Sequence, residues 1–494
     1  MKDGKTRLLG FAWPLVCAAL ALLFASTASP LYATNFWTDT NIYFTIGRGM
    51  LKGLMPYRDL FDHKGPLLYA LYGTGAALCS RGFLGVWLLE ILSLAALLAL
   101  AQRLSYRLGA GPLRYTAAPA CAVTVCCCRA FTQGGSAEEF CLPALLLGIL
   151  CTLRILQEEK GREKAAALFG GAAAWVFLIK YTDCGLFFGL GFFLLLCVLR
   201  RSGALACGRV LLRMTAGFAV PVLLCALWLL ACGALAECWQ VYFAQNLFDY
   251  SGAPMSLKGH VLNALAYLRT QSAANPALAV LTLIGMAGSA GALLRGGRGA
   301  LAEALAFPAG AGLLLLFCYW GEMAHPYYAL VFAATACAGV SFLLALAAKI
   351  PAAVKGRMPA VTAAVLALCI LPACRCCCTA VPLLGVRREE MPQARFASEM
   401  HALSDAPTLL DLCSLDQGFY LAADILPVCR YFADNNLDTE EKREAIAGYL
   451  ADGRCEFVVT VWRTLPENYE AIGSAVGVFD LNDQRTYTLW RRRE

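Results

Sequence analysis

The run from Tyr327 to Ala348, YYALVFAATACAGVSFLLALAA, decides the class of fold, because it contains no charged side chain. A helix needs roughly 20 mainly apolar residues to cross the hydrocarbon core of a bilayer, and this run is long enough. Four other runs have a similar apolar character: Leu8–Phe24, Arg209–Ala231, Ala277–Leu294 and Val361–Leu384. The chain is therefore predicted to cross a membrane several times.

The composition points the same way. Of the 494 residues, 59% are hydrophobic and 15% are charged, whereas about 25% are charged in a typical soluble domain. The net charge of +7 comes from basic residues between the apolar runs, which is typical of topology signals and not of nucleic-acid binding. The scheme that satisfies these signals has about eleven helices, with the N-terminus inside and the C-terminus outside. Its shortest spans are Ala165–Ile179 and Gly185–Val198.

Two regions differ from this helical background: the first outer loop (residues 31–81) and the tail (residues 387–494). The tail alternates strand-like runs with one amphipathic helix, Thr439–Ala451, which Asp438 or Thr439 would cap. Its predicted strands are Thr408–Leu412, Cys429–Phe432, Cys455–Trp462, Val476–Asp480 and Tyr487–Trp490. We therefore predict a mainly α protein: a polytopic transmembrane helical bundle (residues 1–386) followed by a small extracytoplasmic α/β domain. This domain carries no catalytic motif and would either help to bind an acceptor or support the structure.

The 24 cysteines are interpreted first as small apolar residues, because most of them fall within predicted spans. A metal cluster at Cys374–Cys378 is the less favoured alternative. The tail contains Cys413, Cys429 and Cys455, an odd count without the spacing of a disulfide framework.

Asp39 lies near the start of the first outer loop, a few residues after the first span. Thr40–Lys52 is predicted to form a helix, capped by Asp39 or Thr40 and closed by Gly53. Its apolar residues recur every four positions, which favours a helix lying on the membrane surface with one face buried. Asp39 would then lie at the boundary between water and lipid, either as a site residue or as a polar residue beside an aromatic belt.

The second half of the loop, PYRDLFDHKGP at positions 56–66, concentrates charge before an apolar helix that should begin at Pro66. Proline suits the first turn of a helix, where its missing N–H is not needed. The free backbone amides and the helix dipole attract anions there, and Lys64 adds a positive charge. This segment is predicted to bind a phosphate at the membrane surface, and a solvated charged turn is the alternative.

Three segments together resemble the bacterial GT-C fold glycosyltransferases, which are related to protein mannosyltransferases and to the enzymes that put aminoarabinose on lipid A. The segments are Asp39, GLMPYRD at positions 53–59 and DHKGPL at positions 62–67. The resemblance implies transfer of a sugar from a polyprenyl-phosphate donor to an acceptor outside the cytoplasm. It also implies a multi-pass protein of the cell membrane whose active site lies on the extracytoplasmic side.

The resemblance also implies roles for single residues. Asp39 corresponds to the general base that accepts the proton of the acceptor hydroxyl, and Lys64 corresponds to a lysine that contacts the donor phosphate. His63 replaces an acidic residue that can bind a metal in the related enzymes. His63 is therefore only a candidate metal ligand. The resemblance establishes no cofactor, and it is compatible with a bound divalent cation.

Further candidates lie in the same loop and in other outer loops. Lys180 could neutralise a lipid phosphate or pair with Asp183 at i,i+3 spacing. Glu138 and Glu139 resemble the family's second outer loop, and the alternative for them is a solvated helix start. The remaining candidates are Arg58 for the donor phosphate, and Asp62, His325 and Tyr328 for the sugar or the acceptor.

These interpretations predict an inverting glycosyltransferase that modifies a cell-envelope glycan or lipid. Its partners would be a polyprenyl-phosphate-linked sugar, an envelope acceptor and membrane lipid, but no nucleic acid. A phosphate-binding glycine loop, a serine nucleophile elbow and zinc-ligand spacing are all absent from the sequence. The alternatives are a lipid-linked saccharide transporter or polymerase-like membrane protein, and a noncatalytic scaffold.

Overall fold

Helices dominate the computed structural model, which describes residues 2–157, 160–249, 255–294, 303–321, 325–434, 437–481 and 483–493. The α-helices are Lys2–Ala25, Thr38–Met50, Pro66–Leu78, Leu84–Arg107, Ala117–Cys126, Ala137–Gln157, Arg162–Ile179, Gly185–Ala231, Leu235–Cys238, Asn246–Phe248, Leu257–Ala274, Pro276–Leu294, Ala306–Cys318, Ala333–Ala347, Pro351–Val354, Met358–Cys377, Pro392–Leu403, Phe419–Ala422 and Glu440–Ala451. The predicted mainly α class is confirmed.

Within the described ranges, six helical stretches are long and apolar enough to cross a membrane. They are Leu84–Arg107, Ala137–Gln157, Tyr181–Ala231, Pro276–Leu294, Pro326–Ala347 and Met358–Cys377. Ala12–Ala25 and Ala306–Cys318 are apolar helices of shorter length. The chain is therefore a membrane protein, whereas the count of eleven helices and their orientation stay predictions.

The longest of these stretches, Tyr181–Ala231, is not one straight helix. Gly203 adopts a non-helical conformation inside it, with φ +80° and ψ 175°. A positive φ of this kind is accessible to glycine because it lacks a Cβ atom. The break separates the two spans predicted at Gly185–Val198 and Arg209–Ala231, and both are helical.

The contacts of the chain divide it into two compact units, and unit 1 comprises Met1–Ala25, Glu90–Cys225 and Ala253–Thr379. In unit 1 the helices Pro276–Leu294 and Ala333–Ala347 approach each other very closely. A Cβ atom added at Gly285 would collide with the carbonyl oxygen of Thr335. Small residues at such crossings let two membrane helices come into backbone contact.

Unit 2 comprises Ser26–Leu89, Ala226–Gly252 and Ala380–Glu494. Its helices Thr38–Met50 and Pro66–Leu78, both from the first outer loop, also meet at their backbones. A Cβ atom added at Gly47 would lie 2.6 Å from the backbone nitrogen of Gly73. The predicted boundary between residues 386 and 387 stays a prediction.

Two expectations for the first loop helix are wrong. The helix begins at Thr38 with Trp37 as its N-cap residue, and no side chain makes a capping hydrogen bond. Every residue from Asp39 to Gly49 is buried, so this is not a helix that buries one face only. The four-residue apolar spacing could not reveal the burial of the polar face, which depends on contacts with distant parts of unit 2.

The tail forms a four-stranded mixed sheet in the order β1-β2-β4-β3. The strands are β1 (Leu409–Leu412), β2 (Phe457–Thr460), β3 (Tyr469–Asp480) and β4 (Asp483–Arg492). β1 pairs with β2 in parallel, and the other pairs are antiparallel. Together with its helices, the sheet confirms the α/β character of the tail.

Two predictions for the tail, a helix cap and a strand, have opposite outcomes. Thr439 caps the helix Glu440–Ala451, since its side chain accepts a hydrogen bond from the Lys442 amide at 3.2 Å. The strand predicted at Cys429–Phe432 is wrong, because these residues form no strand and only the adjacent Ala433 makes an isolated bridge, to Asp411. A cap depends on neighbours in sequence, whereas a strand needs a partner along its whole length.

Within unit 2 the tail binds the first outer loop through three polar contacts. Arg48 is buried and forms an ion pair with Asp424 at 2.6 Å. Thr45 donates a hydrogen bond to the buried carboxylate of Asp416 at 2.6 Å. The Arg430 guanidinium donates to the carbonyl oxygen of Tyr57 at 3.0 Å. The tail thus supports the structure of the loop, which was one of its two predicted roles.

Two tail cysteines are in contact although their spacing gave no indication of it. The Sγ atoms of Cys429 and Cys455 are 3.6 Å apart, and both residues are buried. We expect an oxidant to join them, while Cys413 stays reduced. Such a crosslink would stabilise the tail by roughly 3 kcal/mol, because it restricts the unfolded chain. Mass spectrometry of peptides from oxidised protein checks this, and recovery of both thiols unmodified would contradict it.

Candidate functional site

The first cluster of predicted site residues lies in unit 2 and contains Asp39, Asp62, His63 and Lys64; we call it the loop cluster. Asp39 occupies the first turn of the helix Thr38–Met50 and is 9% exposed. Asp62 is 3% exposed. Burial raises the pKa of Asp62 to about 6, and the negative charge of Asp39 acts in the same direction. The two carboxyl groups are therefore close enough to interact.

Two buried tyrosines fix the backbone of the loop cluster. The Tyr69 hydroxyl donates a hydrogen bond to Asp62 Oδ2 at 2.8 Å and accepts one from the Lys64 amide at 2.8 Å. The Tyr57 hydroxyl donates to the Lys64 carbonyl oxygen at 2.7 Å. The helix that follows begins at Pro66 after Gly65, as predicted. Lys64 is thereby held two residues before a helix N-terminus.

The surroundings of His63 do not suit a metal ion. Its Nε2 atom lies 3.4 Å from the Lys64 ammonium, and its Nδ1 atom lies 3.4 Å from Asp62 Oδ1. A fixed positive charge beside one ring nitrogen opposes the binding of a cation there. The role of His63 as a metal ligand stays a prediction.

Arg58, the other loop candidate for the donor phosphate, already has partners. Its guanidinium forms hydrogen bonds to both carboxylate oxygens of Asp59, at 3.0 and 2.7 Å. A further bond of 2.7 Å goes to the carbonyl oxygen of Cys232. The charge of Arg58 is thus largely compensated, which leaves Lys64 as the better placed cation of the loop.

A second cluster lies in unit 1 and contains Glu138, Lys180, Asp183 and Tyr328; we call it the lysine cluster. The Lys180 ammonium forms an ion pair with the Glu138 carboxylate, which is buried. It also lies 3.6 Å from the centre of the Tyr328 ring, a cation–π contact. Burial lowers the pKa of Lys180, but the charges of Glu138 and Asp183 raise it well above its ordinary value.

The interpretation of Lys180 and Asp183 as a helical i,i+3 pair is wrong in its geometry. Lys180 has an extended backbone, with φ −154° and ψ 96°, and a short 3₁₀ helix follows it at Tyr181–Cys184. The Asp183 amide donates to the Lys180 carbonyl oxygen at 3.0 Å, but Lys180 enters this turn from an extended conformation and its side chain does not follow a helix face. The direct partner of Lys180 is Glu138, and Asp183 acts on it only at longer range.

Glu139 and His325, the other predicted site residues of unit 1, lie outside the lysine cluster. The Glu139 carboxylate is buried and accepts a hydrogen bond from the Gly135 amide at 2.7 Å. The His325 ring stacks on Tyr327 at 5.2 Å and meets Tyr328 edge-on at 5.4 Å. His325 therefore reaches the lysine cluster through Tyr328.

The chain matches no family model and no curated protein sequence. Among solved structures, it is similar to ArnT from Cupriavidus metallidurans in two states. The apo form aligns with a TM-score of 0.60 at 13% identity, over 97% of this chain and 98% of that one. The form bound to undecaprenyl phosphate aligns with a TM-score of 0.54 at 14% identity over the same shares. This chain has the GT-C fold.

A third similarity is weaker. The archaeal oligosaccharyltransferase AglB from Archaeoglobus fulgidus, in complex with an inhibitory peptide and a dolichol-phosphate, aligns with a TM-score of 0.46 at 14% identity. The alignment covers 91% of this chain and 69% of that one. The GT-C resemblance inferred from the loop motifs is confirmed at the level of the fold, whereas the role of each site residue stays a prediction.

Sequence reasoning missed several residues that position the loop cluster. The Asn35 side chain accepts hydrogen bonds from Thr27 and from the Trp37 amide, both at 2.9 Å, and so fixes the entry to the Asp39 helix. Tyr69 and Arg430 hold the loop from the following helix and from the tail. Only Asn35 carried a local signal, since asparagine side chains commonly bind the backbone two residues further on.

Proposed function

We propose that this protein is an inverting glycosyltransferase that moves a sugar from a polyprenyl-phosphate donor to a cell-envelope acceptor on the extracytoplasmic face. The observation that carries the proposal is the loop cluster, in which the charges of Asp39 and Lys64 both act on the buried Asp62 carboxyl group, next to the helix that starts at Pro66. The GT-C fold supports it, because the similar ArnT was solved with undecaprenyl phosphate bound.

The proposed reaction needs one base and one cation. An acceptor hydroxyl oxygen attacks the anomeric carbon on the face opposite the phosphate, and its proton passes to the Asp39 carboxylate. The bond between the anomeric carbon and the phosphate oxygen breaks, and its electron pair leaves with the polyprenyl phosphate. Lys64 stabilises the phosphate charge in both substrate and product. The product sugar therefore has the inverted anomeric configuration.

The direct experiment supplies purified protein with polyprenyl-phosphate sugars and a panel of envelope acceptors. We expect release of free polyprenyl phosphate together with glycosylated acceptor, both measured by mass spectrometry. A transporter would instead move the intact lipid-linked sugar across a liposome membrane without cleavage. Movement without cleavage, for every donor in the panel, would overturn the proposal.

We expect Lys64→Ala to weaken binding of the donor. A hydrogen bond to a charged group contributes about 1.5–3 kcal/mol, so the donor Kd should rise roughly tenfold or more. The matched control is Lys52→Ala, which removes an exposed lysine of the same loop. Binding of polyprenyl phosphate by each variant is measured in detergent. Equal donor affinity in both variants would remove Lys64 from the phosphate site.

A further inference from the structure

Three cysteines of unit 1, which the proposed reaction does not use, converge at the ends of two helices. Cys127 follows the helix Ala117–Cys126 directly. Cys374 lies in the last turn of the helix Met358–Cys377, and Cys378 is the residue after its end. The Sγ atoms of Cys127 and Cys374 are 3.8 Å apart, and all three Sγ atoms lie within 4.8 Å of one another.

The 3.8 Å between the Sγ atoms of Cys127 and Cys374 is the separation of two thiolates on one metal ion, and the third sulfur lies within 4.8 Å of both. With a metal–sulfur distance of about 2.3 Å, two sulfurs on one zinc ion are separated by roughly 3.8–4.0 Å. Cys374 and Cys378 are four residues apart at the end of one helix, which brings their side chains to the same face. Among the described residues, these three cysteines are the one group of His, Cys, Asp or Glu side chains in which three possible ligand atoms lie within 4.8 Å of one another.

The alternative is that these cysteines serve only as small apolar residues. The neighbouring cysteines of the same helix end provide an internal comparison, because Cys376 and Cys377 are exposed and take no part in the cluster. In contrast, Cys374 and Cys378 are buried and Cys127 is half-buried. Small apolar residues need not converge from two helices, whereas ligands of one ion must.

We propose that Cys127, Cys374 and Cys378 form a binding site for a soft metal ion, Zn²⁺ or Cu⁺. Thiolates are the ligands that these ions prefer in proteins. Three sulfurs provide a trigonal site for Cu⁺, or three of the four ligands of Zn²⁺ with the half-exposed side at Cys127 open for the fourth. The ion would join the ends of two helices and stabilise unit 1 against unfolding.

The test uses the full chain, purified with reductant and stripped of metal by a chelator. Zn²⁺ is titrated in competition with a chromophoric chelator, and Cu⁺ is titrated anaerobically in the same manner. The triple variant Cys127→Ser, Cys374→Ser, Cys378→Ser is compared with the matched control Cys376→Ser, Cys377→Ser. We expect wild type and control to bind one equivalent of Zn²⁺ or Cu⁺, and the triple variant to bind neither at this site. The ion that wild type binds with the lower Kd is the one for which the site is suited.

A thermal-unfolding measurement provides a second readout. The bound ion should raise the Tm of wild type and control but not that of the triple variant. If the triple variant does not fold, Cys127→Ser alone replaces it, since Cys127 is half-buried and tolerates a polar atom more easily. Equal metal binding in the variant and the control, or no binding by wild type, would overturn the proposal. Neither outcome bears on the transferase activity.

Discussion

Asp39→Asn is expected to abolish sugar transfer while leaving the protein folded and able to bind its donor. The asparagine keeps the size and polarity of the side chain but cannot accept the proton of the attacking hydroxyl. Loss of a general base typically costs about 10²- to 10⁴-fold in rate. The measurement is single-turnover transfer from a polyprenyl-phosphate sugar, with donor affinity determined in parallel.

The control for this experiment is Asp405→Asn, which makes the same chemical change at an exposed position of the tail. Its transfer rate should match that of wild type. Donor affinity close to that of wild type, together with a lost rate, would separate a chemical role of Asp39 from a role in binding. A transfer rate in Asp39→Asn equal to that of the control would show that another residue is the base.

The second large effect is expected for stability. Lys180→Met removes the charge that forms a direct ion pair with the buried Glu138 carboxylate, and Asp183 also loses a nearby compensating charge. Removing one partner of a buried ion pair typically costs about 3–5 kcal/mol, because the other charge stays buried and unpaired. Unfolding of the detergent-solubilised protein should therefore occur under much milder conditions than for wild type.

The matched control is Lys355→Met, at an exposed position where the same substitution should have little effect. The double variant Lys180→Met, Glu138→Gln should recover part of the lost stability, since it no longer buries the unpaired carboxylate of Glu138. If Lys180→Met unfolds like the control, the Glu138 ion pair does not stabilise unit 1. A specific loss of donor affinity in a stable Lys180→Met variant would instead favour its role at the phosphate.

Local sequence signals predicted the parts of the fold that depend on neighbouring residues. The apolar runs identified spans because the length of a run is itself the physical requirement. Pro66 marked the start of its helix, and Thr439 marked the start of another, because both signals act within one turn. The loop motifs were sufficient to identify the GT-C fold, which the structural similarity to ArnT confirms.

The contacts that form the lysine cluster and the proposed metal site could not be predicted in the same way. Lys180 and Glu138 are 42 positions apart, and Cys127 and Cys374 are 247 positions apart. Such pairs form only when packed helices bring their ends together, and neither hydropathy nor capping contains this information. For Lys180, the nearer carboxylate in sequence was the wrong partner because the chain leaves the helical conformation at that residue.

The hold of the tail on the first loop has a practical consequence. Arg430 and Asp424 lie more than three hundred positions beyond the loop residues they contact. A protein shortened before residue 387 would keep every residue proposed for catalysis and yet lose the partners that shape the first outer loop. Any variant of the first outer loop should therefore be made in a protein that retains the tail, and a fusion joined at its end needs a linker that leaves these contacts free to form.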